Sequence, residues 1–177
     1  MIELKPLHDL HAQFFYNWFQ DEEVIRYSLS IFQKLQTEEQ IVEWLTETIN
    51  DTKTYKQGIF LENTDQLIGY AGICDLSASN KSGEYFIFIG DKAYWGKGVG
   101  TEVTKEVLQI GFEELDLNRI MLTVSEPNVG GVKAYQRAGF TIEGKLREAC
   151  YRDGEFHDKL VMSVLKSEFN KRDLSRL

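Results

Sequence analysis

Three glycines at alternate positions, Gly96, Gly98 and Gly100, constrain the fold of this chain more than any other feature. They lie within residues 94–101, between an aromatic-rich apolar run and a long helical pattern. Without Cβ atoms, the backbone can turn tightly and its N–H groups can close around an anion. The first turn of the following helix adds N–H groups that lack a partner inside the helix, together with the positive end of the helix dipole. The stretch therefore predicts a binding site for a phosphate or pyrophosphate group.

The spacing of these glycines does not fit two common phosphate-binding motifs. A P-loop needs two glycines five residues apart followed by Lys and Ser or Thr, and a dinucleotide-binding fold needs G-x-G-x-x-G with an acidic residue further along. Here Gly100 is followed by Thr101, Glu102 and Val103, so neither pattern is met. Taken alone, the stretch is also compatible with a tight turn that binds no ligand.

Composition predicts one globular domain over residues 1–177. The chain has 177 residues, of which 42% are apolar and 27% charged, which is enough for a substantial core. Its net charge of −8 argues against general nucleic-acid binding and favours a cationic substrate. Two cysteines are too few for a disulfide framework, and both Cys74 and Cys150 are expected to pack inside strands. With no signal-peptide pattern and no apolar run of about 20 residues, we expect a cytoplasmic protein without membrane contact.

The periodicity of apolar residues predicts an α/β fold of the α+β type. The coarse order is β-α-α-β-β-β-α-β-α-β-β, a mixed central sheet of about seven strands flanked by about four helices. Thr37 and Gln40 form a capping box that opens the second helix, whereas residues 21–36 show no clear period. Asp153-Gly154 predicts a tight hairpin turn, and residues 119–124 are apolar enough for a central strand.

Two motifs in this order resemble the GNAT-type N-acetyltransferase superfamily. The first is the loop G-K-G-x-G at residues 96–100. The second has the form Asn-x6-Tyr-x3-Gly-Phe and consists of Asn128, Tyr135, Gly139 and Phe140. Their order, about thirty residues apart, is more specific than either motif alone.

Within the superfamily, the chain is most similar to the branch of ribosomal-protein N-terminal acetyltransferases and related small-amine and amino-sugar acetyltransferases. The similarity rests on residues 90–98 and on the hairpin at 151–158, and it is strongest from Glu84 onward. It implies an acceptor-side half at 1–80, an acetyl-CoA-binding core at 81–140 and C-terminal hairpin strands at 141–169. Two positions depart from the pattern, because Trp95 stands where Arg or Gln is common and Gly131 where Ser is frequent.

The resemblance implies that acetyl-CoA is the co-substrate and that an amine attacks directly within a ternary complex. No metal is expected to take part, because the histidines and the surrounding acids form no metal-binding pattern. A bulge in the strand before the loop would aim the backbone N–H groups of Ile87, Phe88 and Ile89 at the pantetheine arm and the thioester carbonyl, whose oxygen gains charge in the transition state. The cofactor-binding residues implied further along are Trp95, Gly96, Lys97, Gly98, Val99, Gly100, Thr101, Asn128 and Arg137. Lys97 and Arg137 are equally compatible with solvated surface cations, and Asn128 can also serve as a helix N-cap.

Two residues are the catalytic candidates. Tyr135 is the expected general acid, since a phenol can hand a proton to the departing thiolate, and its alternative is an aromatic packed on the sheet. Glu84 is the expected general base for the acceptor ammonium, and its alternative is a solvated charge at a strand end. A register error of one residue would exchange Glu84 for Tyr85. The histidines form no metal-binding pattern; they are His8, His11 and His157.

The leading interpretation is therefore an acetyl-CoA-dependent N-acetyltransferase acting on a primary amine. The acceptor is a protein N-terminus, a polyamine or other small amine, or an amino-sugar nucleotide, and the sequence does not decide among them. The alternative is a non-catalytic acyl-CoA-binding regulatory module. Relatives include monomers and dimers, so a homodimer stays open.

Overall fold

The structure, a computed structural model that describes residues 2–169, alternates strands and helices along the chain. Its strands are β1 (Ile2–Lys5), β2 (Tyr55–Leu61), β3 (Leu67–Ser77), β4 (Ser82–Ile89), β5 (Arg119–Ser125), β6 (Thr141–Arg152) and β7 (Glu155–Leu165). Its α-helices are α1 (Ala12–Phe19), α2 (Glu22–Ile25), α3 (Glu38–Asn50), α4 (Val99–Glu113) and α5 (Val129–Ala138). Short 3-10 helices cover Asp9–His11, Ser30–Gln33 and Lys92–Tyr94. Within residues 2–169, no helix has both the length and the apolar character needed to cross a bilayer.

The strands form one seven-stranded mixed sheet in the order β1-β2-β3-β4-β5-β7-β6. Strand β5 lies inside the sheet, parallel to β4 and antiparallel to β7, as its apolar sequence predicted. The predicted mixed sheet is confirmed. The structure adds α2 and the 3-10 helix at Ser30–Gln33, both in the segment where the sequence shows no period. An element of four residues is too short to show a periodic pattern of apolar residues.

Local signals in the sequence explain where several elements begin and end. In the capping box of α3, Thr37 Oγ1 accepts from the Gln40 backbone N at 3.3 Å, and Gln40 Oε1 accepts from the Thr37 backbone N at 3.2 Å. At the β6–β7 turn, Asp153 (φ 53°) and Gly154 (φ 82°) are both left-handed, as a two-residue hairpin of this type requires. Gly139 ends α5 with φ 124°. The predicted capping box and the predicted hairpin turn are confirmed.

The described chain divides into two compact units, and β3 and β4 each run through both. The first unit extends to Gly72 and includes Ile87–Val99. Its core is aromatic, with Phe19 stacked on Phe32 at 4.2 Å and Phe15 edge-on to Trp44 at 5.2 Å between ring centroids. Phe15 and Phe19 of α1 are therefore part of the core of this unit.

Within the described residues, the second unit comprises Ile73–Phe86 and residues 100–169. Helix α4 buries Val103, Val107 and Phe112 completely. A Cβ atom at Gly111 would lie 2.6 Å from Ile120 Cδ1, so glycine lets the helix lie close to β5. That the whole chain acts as a single domain stays a prediction.

Candidate active site

The glycine loop has the backbone conformation that its sequence predicted. Gly96 and Gly98 have φ values of +70° and +88°, which L-residues with side chains rarely adopt. A Cβ atom at either position would meet no other atom within 4 Å, so conformation, and not crowding, calls for glycine there. Helix α4 begins directly after, at Val99, and Gly100 lies in its first turn. The open backbone surface beside Gly96 and Gly98 therefore fits the close approach of a phosphate group.

The side chains of the loop are engaged within the protein. Trp95 donates from Nε1 to the carbonyl oxygen of Ile89 at 2.9 Å, although its side chain stays partly exposed. Lys97 Nζ lies 5.7 Å from the ring centre of Tyr94. The Trp95 indole thus ties the loop to the end of β4, where the family more often carries a side chain able to reach a phosphate.

The end of β4 was predicted to work through its backbone. The Phe88 side chain is buried and packs on Trp18 and Phe19 at 6.0 and 5.8 Å between ring centroids. A Cβ atom at Gly69 would lie 2.2 Å from the Phe88 carbonyl oxygen, so β3 approaches β4 closely there. These contacts match a core role for the Phe88 side chain. The role of the Ile87, Phe88 and Ile89 amides stays a prediction.

Around the Glu84 side chain, the structure brings together an acidic cluster, defined as Cys74, Asp75 and Glu84. Cys74 Sγ lies 3.5 Å from the Glu84 carbonyl oxygen and 4.0 Å from Asp75 Oδ2. One ligand-type atom from each of the three residues lies within 4.8 Å of the others. Burial raises the pKa of the half-buried Glu84 carboxyl, the negative charge of Asp75 raises it further, and Lys159 opposes both. Glu84 is therefore a stronger base than an exposed glutamate.

Sequence reasoning missed Cys74 and Asp75 as neighbours of Glu84. The usable signal was the hairpin itself, because β3 and β4 are joined by a short turn that brings residues on either side of it together. Within residues 2–169, the acidic cluster is also the group of side chains whose spacing would admit a metal ion. The sequence-based expectation that the protein uses no metal stays a prediction.

A second group of side chains, here called the tyrosine cluster, consists of Tyr85, Tyr135 and Phe140. The Tyr135 ring lies 6.1 Å from Tyr85 and 6.0 Å from Phe140 between centroids. Burial raises the pKa of Tyr135 to about 12, which makes this phenol a weaker acid than an ordinary tyrosine. Burial also raises the pKa of Tyr85 well above its ordinary value, and the Tyr85 hydroxyl lies 3.0 Å from Thr104 Oγ1.

These two clusters place the neighbouring residues Glu84 and Tyr85 in different surroundings, and the choice of Glu84 as the base stays a prediction. Tyr85 is buried and hydrogen-bonded inside the core of its unit, whereas Glu84 is half-buried in the acidic cluster. Of the two neighbours, Glu84 therefore has the surroundings of a base and Tyr85 those of a packing residue.

Asn128 caps helix α5, as the sequence predicted. Its Oδ1 accepts from the backbone N of Gly131 at 3.0 Å. A Cβ atom at Gly131 would lie 2.7 Å from Asn128 Nδ2, so the glycine that replaces the more frequent serine leaves room for this cap. The cap uses the amide oxygen, and the NH2 group is the part that can donate to a ligand. Arg137 is exposed in the last turn of α5.

Comparison with known proteins identifies the family of this chain. Residues 2–141 match the family model described as the acetyltransferase (GNAT) domain. YdaF of Bacillus subtilis, provisionally named a ribosomal N-acetyltransferase, is 33% identical over 103 residues, which cover 58% of this chain and 56% of that protein. The spermidine N(1)-acetyltransferase of Vibrio cholerae is 30% identical over 106 residues, or 60% of this chain and 61% of that protein.

The fold is also that of a solved structure. The crystal structure of spermidine N-acetyltransferase from Vibrio cholerae in complex with CoA and spermine superposes with a TM-score of 0.84 at 23% identity, covering 96% of this chain and 98% of that one. The match of the family model to most of the chain, together with this shared fold, shows that the protein belongs to the GNAT family of N-acetyltransferases.

Proposed function

We propose that this enzyme transfers an acetyl group from acetyl-CoA to a primary amine of a small cationic acceptor, by direct attack in a ternary complex. The observation that carries the proposal is the position of Glu84. This half-buried residue lies on β4, the strand that leads into the glycine loop, and its carboxylate is close to that of Asp75 on β3. A carboxylate in these surroundings suits both tasks the acceptor needs, which are to hold an ammonium group and to remove its proton.

Acetyl-CoA binding is assigned mainly to the backbone. The left-handed Gly96 and Gly98 and the first turn of α4 would direct N–H groups at the pyrophosphate. The Asn128 amide NH2 would donate to the pantetheine arm, with its own oxygen engaged by Gly131. Lys97 and Arg137 are exposed and would add positive charge near the phosphates. The backbone amides of residues 87–89 would stabilise the charge that develops on the thioester oxygen.

Two side chains would move the protons. Glu84 accepts a proton from the acceptor ammonium, directly or through a water molecule, because its raised pKa makes it a stronger base than an exposed glutamate. Tyr135 donates a proton to the departing thiolate. With a pKa of about 12, it is a weaker acid than an ordinary phenol. The same burial that raises this pKa also raises that of a thiol, so a thiolate leaving into these surroundings is a better proton acceptor.

The acidic cluster and the net charge of −8 support a polyamine-like acceptor. The similarity to a spermidine N(1)-acetyltransferase supports the same class. A protein N-terminus is the second candidate, favoured by the similarity to YdaF. A polyamine carries several cationic groups and an N-terminal peptide presents a single α-amine, so salt distinguishes the two: the KM for a polyamine should rise steeply with ionic strength.

The first experiment is calorimetric titration of the full-length protein with acetyl-CoA. Gly98→Val should weaken binding by about 10²-fold, equivalent to about 2.7 kcal/mol, because the side chain strains the loop and occupies the space beside the backbone. Gly154→Val is the matched control. Gly154 has nearly the same φ and the same open surroundings, but it lies in the hairpin turn after β6, so its substitution should leave the dissociation constant unchanged. Near-normal binding by Gly98→Val would remove the phosphate site from the proposal.

The second experiment measures thiol release over a panel of polyamines, amino-sugar nucleotides and N-terminal peptides. Turnover on polyamines with the expected salt dependence supports the proposal, and turnover confined to peptides supports the second candidate. Binding of acetyl-CoA without turnover on any acceptor would favour the non-catalytic regulatory module.

A further inference from the structure

The backbone at Asp75 departs from the regular strand around it. Successive side chains of a strand point to opposite faces, so Cys74 and Asp75 would normally point apart. Asp75 instead has φ +48°, a left-handed conformation that aspartate tolerates better than most residues. As a result, Cys74 Sγ lies 4.0 Å from Asp75 Oδ2, and both groups lie within 4.8 Å of the Glu84 carboxylate. The local turn in β3 thus brings a second carboxylate to Glu84.

The charges that face Glu84 come from two strands. On β3, the Asp75 carboxylate is exposed and the Cys74 thiol is half-buried. On β7, Lys159 acts in the opposite direction to Asp75. On β5, the residue in register with Glu84 is Met121, which carries no charge. Asp75 is therefore the neighbouring charge that favours protonation of Glu84, and it does so across a partly solvated gap.

We propose that Asp75 is a positioning residue for the acetyl transfer, which sets the base strength of Glu84 through its neighbouring charge and does not itself touch the reacting atoms. The inference rests on the proposed function, in which Glu84 removes the acceptor proton. The inference also accounts for the left-handed backbone of Asp75, because an aspartate that served only as a surface charge would not need this conformation.

The test is the pH profile of kcat/KM for the full-length enzyme, with one polyamine acceptor used throughout. In Asp75→Asn, the like charge is gone, so Glu84 should titrate lower. The acidic limb should therefore move to lower pH, and activity on that limb, relative to the plateau, should rise about threefold. The plateau kcat should fall, because a weaker base remains, while the KM for acetyl-CoA should not change. Asparagine tolerates the left-handed conformation, and Asp75→Glu should restore much of the wild-type profile.

The matched control is Asp153→Asn. Asp153 is also an exposed aspartate with a left-handed φ of +53°, but it lies in the hairpin turn after β6, so its substitution should leave the limb in place. A direct readout is the NMR titration of the Glu84 carboxyl carbon, identified by its loss in Glu84→Gln. Its midpoint should move down in Asp75→Asn and stay in Asp153→Asn.

The outcomes separate this inference from the proposed function. If Glu84→Gln keeps the wild-type acidic limb, the proposed function loses its base. If Glu84→Gln removes the limb while Asp75→Asn leaves both the limb and the carboxyl titration unmoved, the role of Asp75 alone is overturned. A downward movement of both readouts in Asp75→Asn, with neither moving in Asp153→Asn, supports it.

Discussion

The acidic cluster and the tyrosine cluster are built on adjacent residues of β4, Glu84 and Tyr85, yet in the proposed mechanism they take part in opposite steps of proton transfer. Burial raises the pKa of Glu84 in the acidic cluster and that of Tyr135 in the tyrosine cluster. For Glu84 the higher pKa gives a stronger base, whereas for Tyr135 it gives a weaker acid. Proton donation by Tyr135 therefore depends on a departing thiolate whose own basicity is raised by the same burial.

The sharpest way to break this comparison is to remove the phenol of Tyr135. Tyr135→Phe should lower kcat by about 10²–10⁴-fold, the range typical of a general acid, while the dissociation constant for acetyl-CoA stays within about twofold. Steady-state kinetics and calorimetry on the same preparation measure the two quantities. An unchanged kcat would make Tyr135 a packing residue.

Tyr85→Phe is the control for that experiment, since Tyr85 lies in the same cluster. It removes a buried hydroxyl that lies 3.0 Å from Thr104 Oγ1, so it should lower stability by about 1–3 kcal/mol. Turnover should stay near that of the wild type. If Tyr85→Phe instead lowers kcat as much as Tyr135→Phe does, the two phenols act as one unit.

Removing the base should have a smaller effect, because the acceptor amine can also lose its proton to water. Glu84→Gln should lower kcat/KM by about 10²-fold near pH 7. The loss should be larger at pH 6 than at pH 9, since more of the amine is protonated at the lower pH. In the wild type, activity should fall as pH decreases through the pKa of Glu84, and this fall should begin at a higher pH than for an ordinary glutamate. A profile identical to that of the wild type would reject Glu84 as the base.

The sequence predicted features that depend on neighbouring residues in the chain and missed features that depend on contacts between strands. The conformation of the glycine loop, the start of α4 and the Asn128 cap depend on residues a few positions apart, so local patterns were enough. The pairing of Asp75 with Glu84 depends on the register of β3 against β4 and on the left-handed backbone of Asp75. A pattern of apolar and polar residues predicts neither the register of two strands nor a left-handed residue within one of them.

The limits of local patterns also explain why the burial of Tyr85 was left undecided and why helix α2 was not predicted. The burial of Tyr85 was undecided because alternation along β4 gives two faces without saying which is covered. Helix α2, four residues long, begins with an N-cap in which Asp21 accepts from the Glu23 backbone N at 3.0 Å. A single cap before so short a segment did not suffice to predict a helix in residues 21–36.

Glu143 lies outside both clusters and is a useful comparison for Glu84, because its charged neighbour is positive whereas Asp75 beside Glu84 is negative. Arg119 donates to both Glu143 oxygens, at 2.7 and 2.5 Å, and Ser163 Oγ donates at 2.6 Å. These hydrogen bonds lower the pKa of Glu143 to about 2. Burial and a carboxylate thus raise the pKa of one glutamate, and an arginine lowers that of the other.

The expected effect of removing this pair is the smallest, because both side chains are partly exposed. Glu143→Gln should lower the free energy of unfolding by at most about 1 kcal/mol at pH 7, or Tm by about 2–4 °C. A carboxyl whose pKa is lowered on folding stabilises the protein above its unfolded pKa, and this stabilisation is lost as pH falls towards the folded value of about 2. The difference in Tm between wild type and Glu143→Gln should therefore be constant above about pH 5 and shrink below it. A Glu143→Gln difference that does not shrink in acid would mean that its cost comes from packing and not from charge.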